Sequence, residues 1–178
     1  MKIDIRYIIR DHFKTLRNAE TKKASAFDIF LFYVLPAALA VWAYWDHINL
    51  KKPDVYNVSI TFFGIFIALL LNLQVAIFAI LQRKWAPLAD DRMHIYQDQK
   101  FEDRQILLSE LNANLSYLIL VCCFALFAAL IFFVREWNAD FGPAAMVFLY
   151  THFLFTLVMI VKRSHILFQS EYSEHTPR

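Results

Sequence analysis

A chain of 178 residues that is 59% hydrophobic and 17% aromatic, with a mean hydropathy of +0.42, is too apolar for an ordinary soluble domain, where about half of the residues are apolar. Two glycines in the whole chain exclude a glycine-rich loop that cradles phosphates. Lys and Arg exceed Asp and Glu by only two, 18 against 16, so the charge is informative through its placement and not its sum.

The first element is a helix within residues 1–24. Ile5, Ile8, Ile9, His12, Phe13 and Leu16 share one face, and Arg6, Arg10, Lys14 and Arg17 spread over the other, which makes the helix basic and amphipathic. Two placements suit it. It can lie on the inner leaflet with those four cations at the anionic surface, or its apolar stripe can pack on the cytosolic ends of the chain's own helices. Direct nucleic-acid contact is not expected, because basic residues beside an inner membrane face answer first to anionic lipid. A polar linker then leads to Ser25-Ala26-Phe27-Asp28, which has the form of a capping box with Asp in place of Glu.

Charge-free stretches follow at 29–45, 55–82, 111–134 and 141–161, each as long as a bilayer-crossing helix. They predict spans at about 28–46, 57–82, 110–134 and 142–162, forming a four-helix transmembrane domain over residues 25–162. Pro36 cannot donate a backbone hydrogen bond, so the first span should kink there, with the freed carbonyl satisfied by a neighbour or water. The outer loop at 46–56 is too short for a folded domain. In the second span Thr61, Gly64, Ala68, Asn72, Val75 and Ala79 make a stripe of small and polar residues, the pattern of a close helix–helix interface.

Residues 83–109 are expected to form a cytosolic loop of mixed charge, broken near Pro87. Its Asp90-Asp91-Arg92-Met93-His94 run lacks a second histidine at ligand spacing and reads as a solvated turn, not a metal site. From Arg104 to Val134 there is neither Gly nor Pro, which predicts one helix passing from a polar start into the membrane. Along it Leu108, Leu111, Leu115, Leu118, Cys122, Ala125 and Ala129 alternate steps of three and four and form one seam. Cys122 and Cys123 point about 100° apart and read as small packing residues. Gly142-Pro143 opens the fourth span, and 163–178 continue it as a polar cytosolic tail. The first apolar run begins only near residue 29, so no cleavable signal peptide is expected.

Fifteen of the 18 Lys and Arg lie before the first span, between the second and third, or after the fourth. The positive-inside rule therefore places both termini and the middle loop in the cytoplasm. Trp42, Tyr44, Trp45 and Trp137 fall at the outer boundary and Trp85 at the inner one. The fold class is an all-α integral membrane protein with four transmembrane helices, an N-terminal amphipathic helix and cytosolic helical extensions.

Polar side chains inside the spans are the candidate functional residues. Gln74 in the second span stands at the depth of Asn112, Asn114 and Ser116 in the third, and amides in a bilayer must either pair with one another or touch water. His152 is the titratable side chain deep in the fourth span. It is a candidate for a proton or ion path, or else a neutral ring bonded to a neighbouring helix. With Gly64, Ala68 and Asn72, these residues define an interface or polar path. No nucleophile elbow, Walker loop, zinc-protease helix, C-x-x-C or dinucleotide fingerprint is present, and no enzyme activity, catalytic residue, cofactor or metal is expected. Arg6 and His12 have the R-x5-H form of HEPN-type nucleases, a match that arises about once by chance in a chain this rich in both residues.

Four spans, no extramembrane domain and a charged cytosolic face give this chain a plan that resembles the small membrane components of bacterial anti-phage systems. Those components accompany a soluble partner and sense damage at the inner membrane or permeabilise it. The resemblance is architectural and covers the whole chain without a diagnostic motif. It implies a homo-oligomer in the bacterial inner membrane with a cytosolic protein partner. The expected function is thus a scaffold, sensor or pore-forming effector; the alternative is a small channel or carrier whose polar path runs through the cytosolic half of the bundle.

Overall fold

The computed structural model describes residues 4–16, 26–46, 53–81, 94–135 and 141–175, and among these every regular element is helical. The elements are α1 (Arg6–Thr15), α2 (Ala26–Ile29), a π-helical turn (Phe30–Val34), α3 (Leu35–Trp45), α4 (Pro53–Leu81), α5 (His94–Val134) and α6 (Phe141–His175). Four helical stretches are long and apolar enough to cross a membrane: Phe27–Trp45, Val55–Ile80, Arg104–Val134 and Phe141–Gln169. The chain is a multi-pass membrane protein by this criterion.

The seam of α5 organises the bundle. Leu108, Leu111, Leu115, Leu118, Cys122, Ala125 and Ala129 are all at most 2% exposed, so the alternation of three and four steps marks the buried face. Against this seam pack α4, through Phe63, Leu70 and Ile77, and α6, through Met146, Phe153 and Ile160. Between α4 and α6 the gap is filled by rings: Phe62, Phe63 and Phe66 meet Tyr150 and Phe153 at centroid separations of 4.8–5.9 Å. The Tyr150 hydroxyl completes that contact by donating to Ser59 Oγ at 2.8 Å. The first span leans on α6, with no close backbone approach to α4 or α5.

Two boundaries differ from the sequence expectation. Residues 94–103, expected within a cytosolic loop ahead of the helix that starts at Arg104, are the first turns of α5, because neither Gly nor Pro falls between His94 and Val134. Likewise α4 begins at Pro53, inside the expected outer loop, since proline at a first helical position forfeits no intrahelical bond. With 41 residues α5 is about 60 Å long at 1.5 Å per residue, roughly twice a hydrocarbon core. It therefore projects beyond the span at the end of the bundle where α1 sits. The capping box at Ser25, Arg17, Trp85, Trp137 and the Asp90–Met93 run lie outside the described residues.

The seam gives a direct test. Ala125→Phe, at a position with no exposure, should cost about 1–3 kcal/mol by overpacking, read as a lower thermal midpoint in detergent. Phe127→Ala, at a position 60% exposed, should change stability by no more than about 0.5 kcal/mol. Equal losses would show that this face of α5 is not the packed one.

Candidate functional site

Proline 36 has no N–H to give to the carbonyl four residues earlier, that of Phe32. The helix responds with a π-helical turn just before the proline, in which the Leu35 N–H reaches back five residues to the Phe30 carbonyl. The orphaned Phe32 carbonyl is met from α6: His152 Nδ1 donates to it at 2.8 Å. A carbonyl only accepts, so this bond fixes the proton on Nδ1 and leaves Nε2 of the neutral ring as an acceptor. Tyr117 of α5 donates its hydroxyl there at 2.9 Å, and the Tyr33 hydroxyl can then donate to Tyr117 over a longer 3.4 Å.

The same tyrosine carries α1. The His12 ring lies flat on the Tyr117 ring, with centroids 3.7 Å apart and planes within 4°, while Phe13 stacks on Tyr33 at 5.6 Å. His12 is fully buried and its Nδ1 donates to Asn114 Oδ1 at 2.8 Å. Thr15 Oγ1 sits 2.7 Å from the His12 carbonyl and 2.8 Å from Asn114 Oδ1, and its single proton serves one of them at a time. Arg163 of α6 closes the arrangement by donating to the Thr15 carbonyl at 2.8 Å. Its other terminal nitrogen lies 3.0 Å from Glu110, a charge contact without hydrogen-bond alignment. One connected cluster thus joins α1, the first span with its π-helical turn, α5 and α6.

Within this cluster His12 Nε2 and Asn114 Nδ2 are buried without a protein partner among the described residues. Burial holds the His12 pKa down at about 4, opposed by the bond to Asn114 and reinforced by nearby His152 and Arg163. Protonation would add a second buried donor beside a cation, with no carboxylate on the ring to receive it.

The expected site residues separate into distinct groups. Gln74 Nε2 donates to Asn112 Oδ1 at 3.1 Å and to Ser116 Oγ at 3.0 Å, a bridge from α4 to α5. Asn114 belongs to the α1 cluster and His152 to the proline cap, so neither joins that bridge. The stripe on α4 turns away from the bundle: Thr61, Ala68, Asn72, Val75 and Ala79 are exposed and Gly64 is half-buried. A Cβ at Gly64 would meet only a Leu126 methyl at 3.8 Å, so no helix of this chain requires its small size. Among the described residues the Asn72 amide has no partner. On α1, Ile5, Ile8 and Ile9 are partly covered and Leu16 is buried, which realises the packing of its apolar stripe on the chain's own helices; Arg6, Arg10 and Lys14 face outward. Arg6 is therefore turned to the surface while His12 is buried. No group of three or more His, Cys, Asp or Glu suited to a metal occurs among the described residues.

Tyr117, Tyr33 and Thr15 were not among the expected site residues. A lone Tyr or Thr on an apolar helix reads as packing, and the available signal was Pro36, which announces a carbonyl at Phe32 in need of a donor. No protein-family model matches the sequence, and comparisons with curated proteins and with solved structures found no match.

Two measurements probe the cluster. His152→Phe leaves the Phe32 carbonyl without its donor, at about 1–3 kcal/mol, and takes from the Tyr117 hydroxyl its acceptor, leaving it only the longer contact to Tyr33. In a Pro36→Ala background, which returns a backbone donor to Phe32, the same change should cost about 1–2 kcal/mol less; strictly additive losses in the cycle would show that the ring does not serve the proline. For His12 the native pKa lies below the unfolded value near 6.5, so between about 4 and 6.5 the unfolded chain binds the extra proton. Stability is complete above that window and falls as pH drops through it, by about 3 kcal/mol across the whole of it. The thermal midpoint should drop from pH 7.5 to pH 5 in the wild type and do so less in His12→Gln; identical slopes would locate the acid sensitivity elsewhere.

Proposed function

We propose that this protein is a self-associating membrane scaffold or pore-forming effector, inserted in a bacterial inner membrane with both termini in the cytoplasm. Its α1 end would dock a cytosolic protein partner. The observation that carries the reading is the outward stripe of α4. Small residues at four-residue spacing let backbones approach closely, and an amide exposed on a span is costly in lipid unless another helix pairs with it. Among the described residues nothing uses Gly64, Ala68 or Asn72 in this way. A second copy presenting the same face satisfies both needs, since Asn72 can pair with its own counterpart across a two-fold axis.

The docking surface follows from charge and length. Arg6, Arg10 and Lys14 are exposed on α1, and α5 extends past its apolar stretch on that side, which provides a charged platform at the membrane surface. The architectural likeness to small membrane components of anti-phage systems supplies the context of a soluble partner encoded alongside. A carrier is less well supported. Its expected path residues divide between the Gln74–Asn112–Ser116 bridge and the cluster that holds Asn114 and His152, and among the described residues no hydrogen bond joins the two.

Mass determination of detergent-solubilised protein tests the reading. The wild type should run as a closed homo-oligomer. Ala68→Leu and Asn72→Leu, both exposed in the chain, should weaken assembly roughly 3- to 20-fold each while leaving the subunit's thermal midpoint unchanged. A wild-type protein that is monomeric at all concentrations would overturn the proposal.

A further inference from the structure

A second feature lies where α1 meets α5, on the side of the cluster facing α4. A cleft of about 510 Å³ opens between the two helices, within the range of small-ligand sites, roughly 300–1,000 Å³. Asp11 and Lys14 stand on its α1 wall, and Glu110, Asn112 and Ser116 on its α5 wall. Glu110 is the last charge on α5 before the uncharged run 111–134, so the cleft sits where headgroups would give way to hydrocarbon. Ile8 and Ala113 supply its apolar lining.

The unused valences of these side chains specify the ligand. Gln74 donates to the oxygens of Asn112 and Ser116, which leaves the Asn112 NH2 and the Ser116 O–H as donors. Other hydroxyls in the spans, at Ser59, Thr61, Thr151 and Thr156, close onto the carbonyl four residues back; among the described residues Ser116 makes no such bond. These two donors, with the Lys14 ammonium at the mouth, call for an anionic oxygen-rich group. The two carboxylates call for the opposite. Asp11 uses Oδ1 on Lys14 at 2.7 Å and Glu110 uses Oε2 on Arg163 at 3.0 Å, so each has a second oxygen to accept from an N–H. A bare anion meets both carboxylates, and a quaternary amine has no N–H to give them.

We propose that this cleft binds the headgroup of a phospholipid carrying a phosphate diester and a primary ammonium, as in phosphatidylethanolamine. The phosphate faces Asn112, Ser116 and Lys14, and the ammonium faces Asp11 and Glu110. The inference rests on the helices crossing a bilayer and is independent of self-association.

The test uses full-length protein in detergent, offered equimolar phosphatidylethanolamine, phosphatidylcholine and phosphatidylglycerol, with retained lipid counted by native mass spectrometry. The expected result is one phosphatidylethanolamine per chain, held at least about tenfold more strongly than either competitor, as the loss of charge-assisted hydrogen bonds implies. Asp11→Asn combined with Lys14→Gln should abolish that preference. Because the Asp11–Lys14 pair is half-exposed, the double variant should keep its thermal midpoint, which separates loss of binding from loss of fold. Equal retention of the three lipids, preference for phosphatidylglycerol, or an unchanged preference in the double variant would each overturn the proposal. Soluble phosphoethanolamine binding as tightly as the lipid would assign the cleft to a free small molecule and overturn the lipid assignment.

Discussion

The structure depends on one carbonyl. A helix that crosses hydrocarbon must satisfy each backbone group internally, and Pro36 makes that impossible for Phe32. An unpaired amide carbonyl in such surroundings costs several kcal/mol, enough to matter against a total stability of about 5–15 kcal/mol. His152 removes that cost, and in doing so it loses its freedom. Its Nδ1 proton is committed to the carbonyl at 2.8 Å, its Nε2 must then accept, and Tyr117 is held where it can donate. The tyrosine ring, fixed in turn, provides the flat surface on which His12 rests at 3.7 Å. A backbone defect in the first span thus determines the seat of an N-terminal helix that the chain enters before that span begins.

This order of dependence explains why the polar side chains of the bundle are grouped as they are. Each hydrogen-bonded group ties a pair or trio of helices that apolar packing alone leaves free to rotate or slide. Gln74 with Asn112 and Ser116 sets α4 against α5, Tyr150 with Ser59 sets α6 against α4, and His152 with Tyr117 sets α6 against α5 and the first span. Helix association in lipid has no large hydrophobic term, so such bonds and close packing carry it. Against that background Asn72 is the exception, an amide at similar depth with nothing to hold among the described residues. Its companions on the same outward face are small, and that combination motivates the proposed contact between copies.

Much of the fold was legible in the sequence because it depends on period and on charge placement. The seam of α5 runs from Leu108 to Ala129 on alternating three- and four-residue steps, and each residue of that seam is buried. The consequence of Pro36 was legible as well, since the missing N–H and the need for a surrogate donor follow from covalent structure. The identity of that donor was not. His152 and Phe32 are 120 positions apart, and His12 and Asn114 are 102 apart, so neither pairing leaves a local trace. The start of α5 was obscured for another reason. Mixed charge from residue 94 onward looks like a loop by composition, whereas backbone continuity depends only on the absence of a breaker.

The energetics of α1 differ in kind from those of the spans. Ten residues cannot hold a helix unaided, and this one is attached by a stacked pair of rings on each side, a few hydrogen bonds and a short apolar stripe. Two of the bonds converge on a single oxygen of Asn114, and one on the carbonyl of Thr15, so the attachments are shared and not additive. Removing His12 from its seat therefore affects more than its own contacts. It uncovers Tyr117, the residue that orients His152 toward the proline-orphaned carbonyl, and it releases the Asn114 oxygen and the Thr15 hydroxyl together. The position of α1 and the geometry of the first span are in this way supported by the same side chains, and a force applied at one end of that set is borne by the other.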